Sequence, residues 1–174
     1  MSLNDATFAE LLAATRHSAV HLEMRDVYAV GDEADDFAAF LRTGVANTDP
    51  ARSFWPQWTP LVEDAVSRGV VMRRARIVSE PVTDYIRYEH AVTVLNLAAG
   101  ENVRWLPRHQ AADLALPGAD FWLLDDQVVQ FNLFTGDGDW AAKKRTTAPE
   151  TAALCHNAFE AVWERAIPHE KYAV

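Results

Sequence analysis

Apolar positions along the chain switch between a helical and an extended period, and the switches outline the secondary structure. Phe8, Leu11 and Leu12 recur at helical spacing behind Asp5, which predicts a short capped helix over residues 5–16. His21 to Tyr28 alternates instead. Leu22, Met24 and Tyr28 fall on one face of the expected strand, and His21, Glu23 and Arg25 on the other. Asp32 to Thr43 returns to helical spacing with Phe37, Phe40 and Leu41 inward, acidic residues at its start, Arg42 in its last turn and Gly44 as a left-handed stop. After Asp49-Pro50 and the cluster Phe54-Trp55-Pro56-Gln57-Trp58, Thr59 suits the cap and Pro60 the first position of a helix that Gly69 ends.

Val70 to Val78 reads as a buried strand with Arg74 and Arg76 on one face and Arg73 on the other. A helix is predicted over 82–99, where Tyr85, Tyr88, Val92 and Leu95 repeat before Gly100. Asn102–Leu106 predicts a short strand and His109–Ala115 a helical turn. Phe121–Leu124 and Val128–Phe134 flank Asp125-Asp126-Gln127 as a hairpin with a polar tip. Residues 135–139 read as a loop. Pro149 opens a last helix with Ala152, Cys155, Phe159, Val162, Trp163 and Ala166 inward, and Pro168 stops it. The order α-β-α-α-β-α-β-α-β-β-α predicts an α/β fold. It would form a single domain over 1–174, a mixed sheet with a late antiparallel hairpin and helices packed on it.

Composition adds limits. The chain has 174 residues, 49% hydrophobic and 24% charged, which suits a globular domain with a substantial core. Its net charge of −9 opposes direct binding to nucleic acid or anionic membranes, since like charges repel. The local cation groups, Arg73-Arg74-Ala75-Arg76 and Lys143-Lys144-Arg145, lie on no helix suited to a DNA groove. A single cysteine, Cys155, gives no disulfide framework, and neither a membrane-spanning apolar run nor a charged apolar leader is present. A cytoplasmic location is the expectation.

Tests for known chemistry come back empty. No Gly-rich phosphate loop occurs, Thr135-Gly136-Asp137-Gly138-Asp139 lacks the distal ligands of a calcium loop, and no Ser sits in a nucleophile elbow. The six histidines fall in different predicted elements, so no metal and no cofactor is expected. Two polar groupings remain. Glu23 and Arg25 share a face of the first strand, as Arg74 and Arg76 do on the second; if the faces meet, four charges cluster, either as structural ion pairs or as a cradle for a small anionic ligand. Ser79–Arg87, with Glu80, Asp84, Tyr85 and Arg87, lies where a strand end meets a helix N-terminus, a common ligand position that equally suits helix capping and an Asp84–Arg87 surface pair.

Several strings carry a family resemblance: Glu23-Met24-Arg25-Asp26-Val27-Tyr28, Val78–Tyr85, Ala99–Arg108, Asp120–Asp126 and Trp163–His169. Their order resembles an uncharacterised actinobacterial family commonly encoded beside small helix-turn-helix regulators. The cationic strand, helix, strand ending Leu106-Pro107 and paired apolar strands around Asp125-Asp126 also look like a phospholipase D-like half-domain. Active members of that fold carry H-x-K-x-x-x-x-D. With Asp126 as the final Asp, Ala119 and Phe121 stand at the His and Lys positions, so the resemblance implies a catalytically dead scaffold.

The expectation is a non-catalytic regulatory or sensor module. It would act with a protein partner, a helix-turn-helix regulator suited to the acidic surface, or bind a small anionic ligand through Arg25, Arg74, Arg76, Glu80, Asp84, Tyr85, Arg87 and Asp126. The alternative is a cofactor-independent acid–base enzyme on a small acidic substrate, in specialised metabolism, using Glu80, Asp84 or the Asp125/Asp126 pair. A homodimer through the Phe54–Trp58 cluster is a third option.

Overall fold

The computed structural model describes residues 3–29 and 31–174; Met1, Ser2 and Val30 lie outside the described residues. The elements run α1 (Phe8–Ala14), β1 (Ser18–Glu23), α2 (Ala34–Thr43), α3 (Trp55–Ser67), β2 (Val71–Val78), α4 (Asp84–Ala99), β3 (Asn102–Pro107), β4 (Asp120–Leu124), β5 (Val128–Phe134), β6 (Trp140–Thr146), α5 (Pro149–Arg165) and β7 (Ile167–Pro168), with short 3₁₀ turns between some of them. One sheet takes the order β6-β5-β4-β1-β2-β3-β7. Its centre, β1-β2-β3, is parallel, and β4, β5, β6 and β7 pair antiparallel. The expected mixed sheet with a late β4–β5 hairpin is therefore present.

Several element ends differ from the sequence pattern for local reasons. Thr7, not Asp5, caps α1: its hydroxyl accepts from Glu10 N–H at 3.2 Å while its own N–H donates to the Glu10 carboxylate at 2.6 Å, a reciprocal capping box. β1 stops at Glu23, so Met24–Tyr28 is not strand. Asp26 instead accepts from the backbone N–H and hydroxyl of Ser79, both at 2.7 Å, and ties this segment across the end of β2. α3 starts at Trp55, leaving Pro60 inside the helix. Trp55 is buried at the head of this helix, and Pro60 forgoes one backbone hydrogen bond within it. β6 escaped prediction because it is an edge strand with largely exposed residues, held by its ladder to β5 rather than by an apolar face; Lys143 and Lys144 on such an edge discourage further pairing.

The sheet's two faces diverge by the strand period of two. On one, Val20, Leu22, Ala75, Ile77, Leu106, Phe121, Leu123 and Val129 pack against Ala152, Cys155, Phe159 and Val162 of α5. The other is covered by α1–α4. Leu12, Val62, Ala65, Met72 and Leu124 fill one end of that layer, and Tyr28, Trp55, Tyr85, Tyr88 and Trp105 fill the other. Between these two clusters the sheet presents charge.

Two turns fix geometry that matters below. Gly100 ends α4 at φ +107°, Gly100 N–H reaching Leu97 O and Glu101 N–H reaching Asn96 O. A side chain there would be strained by that φ and would stand 3.1 Å from Val66, so glycine is needed to turn Glu101 back toward the sheet. At the β4–β5 turn, the Asp125 carboxylate accepts from the N–H groups of Arg16, His17 and Ser18 at 2.8, 2.7 and 3.0 Å, fastening the α1–β1 junction. Asp125→Ala strands those donors and is expected to lower unfolding stability by about 1–3 kcal/mol, read from the urea midpoint at unchanged slope.

Candidate functional site

The polar stripe on the helical face of the sheet is built by register. His21 stands opposite Arg74 on β2 and Trp122 on β4, and Glu23 stands opposite Arg76. Asp120 pairs with Asn132, and Arg76 with Trp105. Charges thus meet on adjacent strands of a largely buried surface.

The two arginines are each held by three hydrogen bonds from the protein itself. Arg74 donates to Glu23 at 2.9 Å and to both oxygens of Glu101 at 2.8 and 3.3 Å. Arg76 donates to Glu23 at 2.6 Å, Thr93 at 2.7 Å and Glu89 at 3.4 Å. Glu101 also accepts from Trp58 Nε1 at 2.8 Å and Asn96 at 3.0 Å. Burial opposes ionisation of Glu23, but the guanidiniums of Arg76 and Arg74 overcome it and hold the carboxyl well below the usual range.

Over this network lies a cavity of about 460 Å³. His21, Glu23, Arg74, Arg76, Glu89 and Asn96 are at its polar end. Tyr28, Trp55, Trp58, Tyr85, Trp122 and Phe134 form aromatic walls. Glu33 and Asp120 stand at the sides, and Trp140, 53% exposed, lies at the rim. His21 stacks on Trp122 with ring centroids 4.1 Å apart. Neither of its ring nitrogens has a hydrogen-bond partner among the described residues, and Glu89 Oε2 has none either. His21 is 6% exposed and Glu89 7%. Burial pushes His21 down to about 3, so the ring is neutral at pH 7 and its 3.7 Å approach to Glu23 is no ion pair. Burial pushes Glu89 up to about 8 against the pull of Arg76. Asp120, raised to about 6 chiefly by burial, accepts from Met24 N–H at 2.9 Å and makes a short hydrogen bond with the Tyr28 hydroxyl. Glu33, also raised by burial, accepts from Tyr85 OH at 3.0 Å.

Of the residues singled out from sequence, Arg74, Arg76 and Tyr85 line this cavity. Arg25 does not join them. It lies beyond the end of β1, over the Phe134 ring, with its guanidinium on the carbonyls of Thr135 and Gly136. Glu80 accepts from Tyr172 OH at 2.9 Å, and Asp84 pairs with Arg87 at 3.0 Å on the exposed face of α4. Asp126 meets His156 at 2.9 Å, at the end of β4 remote from Asp120. The Phe54–Trp58 cluster is not a surface patch: Trp55 is buried, and Phe54 and Trp58 are half-buried in the cavity wall.

The strand period bears on the H-x-K frame. Its two positions share a face, yet Phe121 packs under α5 while Asp120 and Trp122 face the cavity. Ending the frame on Asp125 sets Gly118 and Asp120 at the two positions. Histidine and lysine are missing in either frame.

Sequence reasoning passed over His21, Glu33, Glu89, Asp120 and Trp122. The signal for Glu89 was present: it follows Tyr85 by four residues, on the face that α4 buries. His21 and Glu23 share parity on β1, as Asp120 and Trp122 do on β4.

Among the described residues, no helix is long and apolar enough to cross a membrane. Comparison with curated proteins gives no match. Among solved structures, Nuc from Salmonella typhimurium, a phospholipase D family member, is similar with a TM-score of 0.50 and 10% identity over 92% of this chain and 86% of that one. TrmBL2, an archaeal chromatin protein with a novel mode of DNA binding, gives a TM-score of 0.49 and 15% identity over 91% of this chain. The match spans 48% of TrmBL2, so the chain is about half that protein's length. The fold is similar to that of a phospholipase D family member. Residues 6–174 match the model of DUF6879, a domain of unknown function, and the chain belongs to that family.

Proposed function

We propose that the domain is a non-catalytic sensor that binds a small organic molecule in the cavity over β1, β2 and β4. The observation that carries this is the set of buried polar atoms at the cavity, both nitrogens of His21 and Oε2 of Glu89, which have no partner among the described residues. Buried polar groups without partners are unfavourable, and a polar occupant would satisfy them. The volume lies within the range of small-molecule pockets, and the aromatic walls with a few convergent polar groups match their usual make-up. The anion expected from Arg74 and Arg76 gains no support from the geometry, because carboxylates already hold both guanidiniums. A helix-turn-helix regulator as the partner that reads the bound state follows from the resemblance to an actinobacterial family encoded beside such regulators, and from the net charge of −9.

The test is thermal denaturation against fractionated metabolites, followed by calorimetry. A saturable ligand that raises the melting temperature, and loses affinity in Trp140→Ala at the rim, is the expected result. Stabilisation undiminished in Trp140→Ala and in Phe134→Ala would place the ligand elsewhere and end the proposal.

One observation favours the enzyme alternative. Asp120 accepts a hydrogen bond from the Tyr28 hydroxyl, and burial raises its carboxyl to about 6, which suits a single acid–base group at the cavity side. Incubating a discovered ligand with wild type and Asp120→Asn, then following it by mass spectrometry, separates the two. Turnover by wild type alone would replace the sensor with an acid–base enzyme.

A further inference from the structure

Resting on that binding role, we infer that the cavity takes a planar organic cation, of the amidinium or protonated aminoheterocycle class, with its N–H groups on Glu89 and its ring between the aromatic walls. The charge of the site points there. Glu23 and Glu101 answer the two guanidiniums, at 2.6–2.9 Å for their nearest contacts. Three further carboxylates then remain around the cavity. Glu89 offers Arg76 only one oxygen, at 3.4 Å, and its other oxygen has no partner among the described residues. Glu33 meets the neutral hydroxyl of Tyr85, and Asp120 that of Tyr28 and one backbone N–H.

An anion entering this space would meet the carboxyl groups of Glu33, Glu89 and Asp120, which no close guanidinium answers, where little water screens it. A cation lowers that repulsion and lets Glu89 carry its charge. The carboxylates surround the cavity without converging: among the described residues, no group of three His, Cys, Asp or Glu could hold a metal ion. That leaves an organic cation. A delocalised, flat cation suits a lining that holds Tyr28, Tyr85, Trp55 and Phe134, because aromatic rings attract such cations. The neutral imidazole of His21 supplies one donor and one acceptor at the floor, which suits a heterocycle carrying both.

The experiment uses three probes of one shape on the full chain: benzamidine as the cation, benzamide as the neutral form and benzoate as the anion. Binding is read at millimolar concentrations by melting temperature and tryptophan emission. Benzamidine is expected to bind about tenfold or more tighter than benzamide, with benzoate weakest. Glu89→Gln, which keeps the shape of the protonated side chain, is expected to abolish that preference. Benzamide or benzoate binding as well as benzamidine would overturn the cation class and leave the binding role standing. No response to any of the three would overturn both. A preference unchanged in Glu89→Gln would remove Glu89 as the seat; if that variant does not fold, Glu33→Gln, at the carboxyl group that accepts from Tyr85, is read in the same way.

Discussion

Replacing Glu23 by alanine is expected to destabilise the fold by about 3–5 kcal/mol, because it leaves two buried guanidiniums side by side without the carboxylate between them. For a chain of this length that corresponds to a fall in melting temperature of about 6–20 °C. Arg74 would retain Glu101, and Arg76 the Thr93 hydroxyl at 2.7 Å and its 3.4 Å contact to Glu89, with no close carboxylate. Glu23→Gln should recover little, since its amide keeps the shape and loses the charge. The control is Arg87→Ala, which breaks an exposed pair with Asp84 and should shift stability by less than about 0.5 kcal/mol. A Glu23→Ala loss no larger than the control's would show that solvent reaches the two arginines and that the network is a surface feature.

The second large effect lies in acid. His21 is held neutral to about 3 by burial, against 6.5 when exposed. The unfolded chain therefore binds the proton more readily than the folded one. The contribution of His21 is complete above pH 6.5 and is lost as pH falls toward 3, with a slope approaching about 1.4 kcal/mol per pH unit. Glu89 acts in the opposite sense. Its folded value, raised to about 8, lies above the ordinary 4.5, so its contribution is complete below pH 4.5 and is lost as pH rises through 8. Between 4.5 and 6.5 the two slopes oppose, below 4.5 His21 acts alone, and above 6.5 Glu89 does. His21→Phe keeps a ring against Trp122 and removes the titration. The difference between wild-type and variant stability, measured by urea unfolding from pH 3 to pH 7, should change steeply below pH 6.5. A flat difference would mean that the imidazole is hydrated in the folded state.

The outer architecture was legible in the sequence because it follows from periodicity. Val71–Val78, the stripe of α5 and the β4–β5 hairpin all declare themselves by spacing, and they fix the mixed sheet. Arg74 and Arg76 were found as a same-face pair for the same reason. What periodicity does not carry is the partner. The meeting of His21 with Arg74, and of Glu23 with Arg76, depends on a parallel register across a connection of nearly fifty residues. Glu101 reaches Arg74 only because Gly100 reverses the chain. Arg25 misled because it shares parity with Glu23 but lies past the strand's end, where alternation no longer decides direction. Spacing alone does not choose between the two H-x-K frames, because Asp125 and Asp126 are alike in sequence and unlike in space: one fastens the α1–β1 junction and the other pairs with His156 at the surface.

The cavity draws its walls from segments far apart in the chain: Glu33 before α2, Trp55 at the head of α3, Tyr85 in α4 and Asp120 on β4. A molecule lodged there would act as a removable crosslink joining all four. Such a crosslink exists only in the folded chain, so each increment of free ligand above its dissociation constant adds directly to stability. The folded lifetime of the domain would then track the concentration of that molecule, and a signal could be carried by persistence alone, with no hinge and no moving part.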